Sequence, residues 1–186
     1  MQYILVKYID TTIMKITIAA LGIFFFLNVM QVAAQTNKTT TEKLVTSKNF
    51  VFIATRANPI SEPSLNQIMG PNAMNNVLDL SNGRYHLRVT KDSIVTDLPF
   101  FGRSYSAPMN TDNTGTRFTS KDFTYSSTKK KKTWIITIEP KDVQDSQKLI
   151  IRVYESGSAI LNVNNYNRQA ISFDGYISKI STANKN

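Results

Sequence analysis

From Trp134 onward the chain repeats one pattern, in which every second residue is apolar until a turn signal cuts the segment off. Trp134, Ile136 and Ile138 are in phase up to Pro140; Leu149, Ile151 and Val153 up to Gly157; Ala159, Leu161 and Val163 up to Asn164; and Ile171, Phe173 and Ile177 complete the series. Successive side chains on a β-strand point to opposite faces, so a period of two places one face of each segment in a core and the other in water. The same pattern runs upstream. Phe50-Val51-Phe52-Ile53, within Asn49 to Arg56, reads as a strand buried on both sides. Tyr85, Leu87 and Val89 share a face, and Ser93 to Leu98 follows as the next strand. Thr116 to Tyr125, with Phe118, Phe123 and Tyr125, reads as one strand with a break. Many short strands between turn signals, and almost no amphipathic helix, predict an all-β fold. An antiparallel barrel of about eight strands is favoured over a two-sheet sandwich, because a meander closes simply and closure removes exposed edges.

The turns carry their own signals. Asn82-Gly83 stands between Asn76–Leu80 and Arg84–Val89. Such a pair takes positive φ cheaply, so a tight type I′ hairpin is expected there. Ala57 to Met74 holds Pro59, Pro63, Gly70 and Pro71 and reads as a long loop. Leu98-Pro99-Phe100-Phe101-Gly102-Arg103 sets two large aromatics between a strand-ending proline and a permissive glycine.

The N-terminal segment has the layout of an export signal. Lys15 precedes an apolar run from Ile16 to Leu27, and Val32 and Ala34 are small residues placed for cleavage after Ala34. Asn28 and Gln31 stop the run short of the ~20 residues a membrane span needs. Residues 1–34 are therefore expected to be a signal peptide, with Met14 as a possible true start. Residues 35–48 are expected to be a flexible polar leader, 49–178 the barrel domain and 179–186 a polar tail. Without Lys7, Asp10 and Lys15 the net charge falls from +9 to +8. The expected product is periplasmic or extracellular, without an integral span.

Residue counts exclude much chemistry. The chain has no cysteine and one histidine. Disulfide scaffolds, thiolate metal sites, thiol catalysis and lipoprotein anchoring need a sulfur this chain lacks. Sites built on several imidazoles are likewise excluded. His86 lies between Arg84 and Arg88 on a strand face and reads as a solvated side chain. The aspartates sit mostly in turns, with no spacing that forces a pair together, and no calcium loop, phosphate loop or nucleophile elbow is present. No cofactor, metal or catalytic residue is expected.

Phe50-Val51-Phe52, Tyr85-His86-Leu87-Arg88-Val89, Asp92-Ser93-Ile94-Val95 and Leu98-Pro99-Phe100-Phe101-Gly102-Arg103 occur in that order. They are followed by Gly157 to Val163, Asn167-Arg168 and Ile171-Ser172-Phe173-Asp174-Gly175. This series resembles the secreted domain-of-unknown-function family 4251 of Bacteroidota, over about residues 48–178. The family more commonly has Tyr where this chain has Phe100, so a hydroxyl is missing here. The resemblance implies a lipocalin-like β-barrel, a periplasmic or outer-surface location and no assigned activity.

Two groups of residues remain as candidates. Phe100, Phe101, Arg103 and Trp134 could line a ligand site, with core packing the alternative role for the rings. Lys129, Lys130, Lys131 and Lys132 form a basic patch on a turn, suited to anionic lipid or to keeping a strand edge solvated. The expected function is a noncatalytic binding module for a small apolar or amphiphilic molecule. The alternative is an envelope protein that docks anionic lipid or a protein partner through a basic, aromatic surface. Export makes nucleic acid an unsuitable partner.

Overall fold

The computed structural model describes residues 38–59, 78–105, 115–143 and 147–180. The strands are β1 (Phe50–Pro59), β2 (His86–Val89), β3 (Ile94–Leu98), β4 (Thr116–Ser120), β5 (Phe123–Lys130), β6 (Thr133–Pro140), β7 (Gln147–Tyr154), β8 (Ser158–Asn165) and β9 (Ile171–Ser178). They form one sheet in the order β4-β3-β2-β1-β9-β8-β7-β6-β5, and every pairing is antiparallel. The expected export signal, residues 60–77 and 106–114 of the two long loops, and the tail beyond residue 180 lie outside the described residues.

The two edge strands of the sheet are neighbours in sequence. Only Lys121 and Asp122 separate β4 from β5, yet β4 pairs with β3 and β5 with β6. One run of chain thus leaves one edge and continues on the other, curling the sheet into a nearly closed barrel. This is the all-β barrel that the alternation predicts, with nine strands, and the break in the expected Thr116–Tyr125 strand is the corner that closes it. Asp142, just after β6, fixes that corner. Its carboxylate accepts the Ser120 hydroxyl and the backbone N–H groups of Lys121 and Asp122, the latter two at 2.8 and 3.1 Å.

Alternation fills the interior. Trp134, Ile136 and Ile138 of β6, Leu149, Ile151 and Val153 of β7, and Ala159, Leu161 and Val163 of β8 all point inward and join one continuous core with Phe50, Phe52, Leu87 and Phe173. On β1 a bulge between Ala54 and Arg56 changes the register against β9. The inward residues change parity there, from Phe50, Phe52 and Ala54 to Ala57. β1 is not buried on both sides as expected: Val51 and Ile53 are half-buried on the outer face.

Residues 38–47 are helical (α1) rather than a flexible leader. Thr41, Leu44 and Val45 are spaced for one helical face, and all three are buried. The helix ends in a Schellman arrangement. Lys48 takes φ 51°, its N–H donates to the Val45 carbonyl at 3.3 Å, and the Asn49 N–H donates to the Leu44 carbonyl at 3.4 Å. α1 caps one barrel end, where the Tyr125 hydroxyl donates to the Val45 carbonyl at 3.3 Å.

Asn82-Gly83 does not make a hairpin. Its two flanks pair with β1 instead of with each other: Asp79 bridges Arg56, and β2 pairs with Phe50–Ile53. The turn is an excursion within one run of chain along β1. Asp79 sets it by accepting the Ser81 N–H at 2.9 Å, an Asx turn that competes with the tight hairpin. Gly83 alone of the pair takes positive φ, 70°.

Candidate binding surfaces

The candidate residues fall at opposite ends of the barrel. Phe100 and Phe101 follow the last residue of β3. Trp134 is the second residue of β6, which runs in the same direction. The structure therefore does not bring these rings together. Pro99–Tyr105 crosses the end of the barrel away from α1 and is tied to the β8–β9 loop. Tyr105 N–H donates to the Asn167 carbonyl at 2.8 Å, Gln169 N–H to the Arg103 carbonyl at 2.9 Å, and Arg103 N–H to Gln169 Oε1 at 3.2 Å. Phe100 and Phe101 are half-buried against the core. The guanidinium over Phe100 is that of Arg168, 5.3 Å from the ring centre. Arg103 is exposed.

At the α1 end the four lysines separate into two roles. Lys129 is on the inward parity of β5, opposite Trp134. Its ammonium lies 4.5 Å from the Trp134 ring centre and 3.1 Å from Glu42 of α1. Lys130, Lys131 and Lys132 form the exposed tip of the β5–β6 turn, where Lys131 takes φ 55°. Lys43, Lys48 and Lys179 add exposed cations at this end. Lys43 and Lys179 line one shallow cleft, and Lys48 lies over the Tyr125 ring at 4.8 Å. Burial pushes the Tyr125 hydroxyl up to about 12, so it stays a neutral donor to α1. The outer face at this end carries two exposed tyrosines: Tyr154 of β7, opposite Thr133 next to the turn, and Tyr176 of β9, opposite Ser158 and two strands further along.

A second concavity lies at the other end, outside the barrel. It measures about 410 Å³ and is lined by residues of β5 to β8 and the loop after β8, with Tyr166 at its margin. Lys148 and Glu139 pair on its floor at 2.8 Å. The ammonium of Lys148 is held above its ordinary range by that hydrogen bond. Sequence reading missed this cleft, because its residues are polar, come from four strands and form no local motif. An aromatic in the polar Asn164–Arg168 loop, Tyr166, is the one trace visible in sequence.

His86 packs opposite Ile53 and Asp97, with Nδ1 3.0 Å from the Arg84 carbonyl. Among the described residues no three His, Asp or Glu side chains converge on a metal-sized space. No helix among them is long and apolar enough to cross a membrane.

The family model for the domain of unknown function DUF4251 matches residues 33–177. The chain belongs to the DUF4251 family. The match begins ahead of α1, so in this DUF4251 chain the helix is part of the domain and not a leader to it. None of the curated proteins compared with the chain matches it.

Proposed function

We propose that this protein is an exported, noncatalytic binding module that docks on anionic lipid through its α1-capped end. The observation that carries this reading is the meeting of exposed lysines and exposed tyrosines at one end of the barrel. Lys130, Lys131 and Lys132 project from the turn; at the same end of the outer face Tyr154 stands on the next strand, β7, and Tyr176 two strands further along, on β9. Tyrosine has an apolar body and a polar tip, which suits the boundary between headgroups and water. A lysine near an anionic surface contributes roughly 1 kcal/mol. Three free lysines therefore supply about 3 kcal/mol, roughly a hundredfold in affinity.

Export rests on the Lys15 to Ala34 segment, and the lipocalin-like, Bacteroidota character on the sequence resemblance. A small apolar or amphiphilic ligand inside the barrel has less support. The inward side chains already form one contiguous core, with Phe50, Phe52 and Phe173 at 0% exposure, so such a ligand would have to displace them. The test is co-sedimentation of the purified protein with phosphatidylglycerol vesicles and with phosphatidylcholine vesicles. Binding to the first that falls as salt rises supports docking; equal binding to both opposes it.

A further inference from the structure

We infer that the cleft at the barrel end away from α1 is a binding site for a neutral glycan. Its volume, about 410 Å³, falls within the ~300–1,000 Å³ of small-molecule sites. Its floor is a line of outward polar groups, one from each of four adjacent strands. Thr124 pairs with Glu139, Lys148 reaches Glu139 by its ammonium, and Asn164 pairs with Lys148. Hydroxyl, carboxylate, ammonium and carboxamide thus stand side by side. A carboxamide both donates and accepts, which suits it to a sugar hydroxyl that does the same. Glu139 and Lys148 compensate each other, and Lys141 at the rim faces Asp122 at 4.0 Å. The cleft therefore presents little net charge, unlike the lysine-rich opposite end, and this favours a neutral ligand over an anion.

One further observation fits such a ligand. Tyr166 is 85% exposed beside the cleft, so its ring face is free to stack on the apolar face of a sugar. This site is independent of lipid docking, since it uses other residues at the other end of the barrel.

The experiment is saturation-transfer NMR of the purified protein with neutral oligosaccharides from β-glucan, α-mannan, xylan and chitin, followed by calorimetry on any that bind. Galacturonate oligosaccharides serve as the anionic comparison. At least one neutral probe should bind. Tyr166→Ala and Asn164→Ala should each weaken it by about tenfold or more, Tyr166→Phe should retain it, and a triple alanine variant at Lys130, Lys131 and Lys132 should leave it unchanged. Absence of transfer from every neutral probe would overturn the proposal. So would preference for the galacturonate probe, or undiminished binding in the Tyr166→Ala, Asn164→Ala double variant.

Discussion

The ammonium of Lys129 lies 4.5 Å from the centre of the Trp134 ring, with Glu42 on its other side at 3.1 Å. Of four consecutive lysines, this one ties the edge strand to the capping helix. A cation over an aromatic face and a half-exposed ion pair each stabilise by roughly 0.5–1 kcal/mol. Lys129→Ala should therefore lower unfolding stability by about 1–2 kcal/mol in urea denaturation, while binding to anionic vesicles changes little. Lys130→Ala should do the reverse.

The corner between β4 and β5 makes stability sensitive to acid. The Ser120 hydroxyl, together with the Lys121 and Asp122 N–H groups, draws the Asp142 carboxyl from its ordinary 3.8 down to about 2. A carboxyl held lower in the folded state contributes stability above its unfolded value and loses it as pH falls through the folded one. That contribution is present in full above about pH 4 and fades toward pH 2. Asp142→Asn should lower stability at pH 7 and flatten this part of the stability–pH curve in denaturation series from pH 2 to 6.

Two glycines should respond very differently to alanine. A Cβ on Gly83 would meet nothing within 4 Å, so only its positive φ of 70° opposes the change. Gly83→Ala should cost roughly 1 kcal/mol. A Cβ on Gly175 would lie 2.0 Å from the Ile53 carbonyl oxygen and 2.9 Å from the Phe52 ring, beside the β1 bulge. Gly175→Ala should cost about 3 kcal/mol or more, because backbone on a central strand cannot yield cheaply. Thermal denaturation of the two variants checks the ranking.

Most of the barrel was legible in sequence because its strands bury one face and wet the other. Trp134-Ile136-Ile138 and Leu149-Ile151-Val153 are inward triplets in the structure. The helix was hidden because a cap on a barrel end buries few side chains. Leu44 and Val45 are the only large apolar residues that α1 places in the core, too few to set a period. Asn82-Gly83 misled because the pair specifies a turn but not its partners, and both flanks found β1. Phe100 and Phe101 stood out in sequence and are half-buried on the core, apart from Trp134. The division of labour among the lysines was invisible locally, since it depends on Glu42, eighty-seven residues away.

Export predicts a defined product. Intact mass of the protein recovered from outside the cytoplasm should correspond to a chain starting at Gln35. A product that retains residues before Gln35 would refute cleavage after Ala34.

Lipid docking is tested most directly by charge reversal at the turn tip. Lys130, Lys131 and Lys132 are changed together to Glu, and partition onto phosphatidylglycerol vesicles is titrated at low and high salt beside the unaltered protein. The account predicts that the variant keeps its unfolding midpoint, loses binding by a factor of roughly a hundred or more and loses its salt dependence. A variant that binds these vesicles as tightly as the unaltered protein would contradict it.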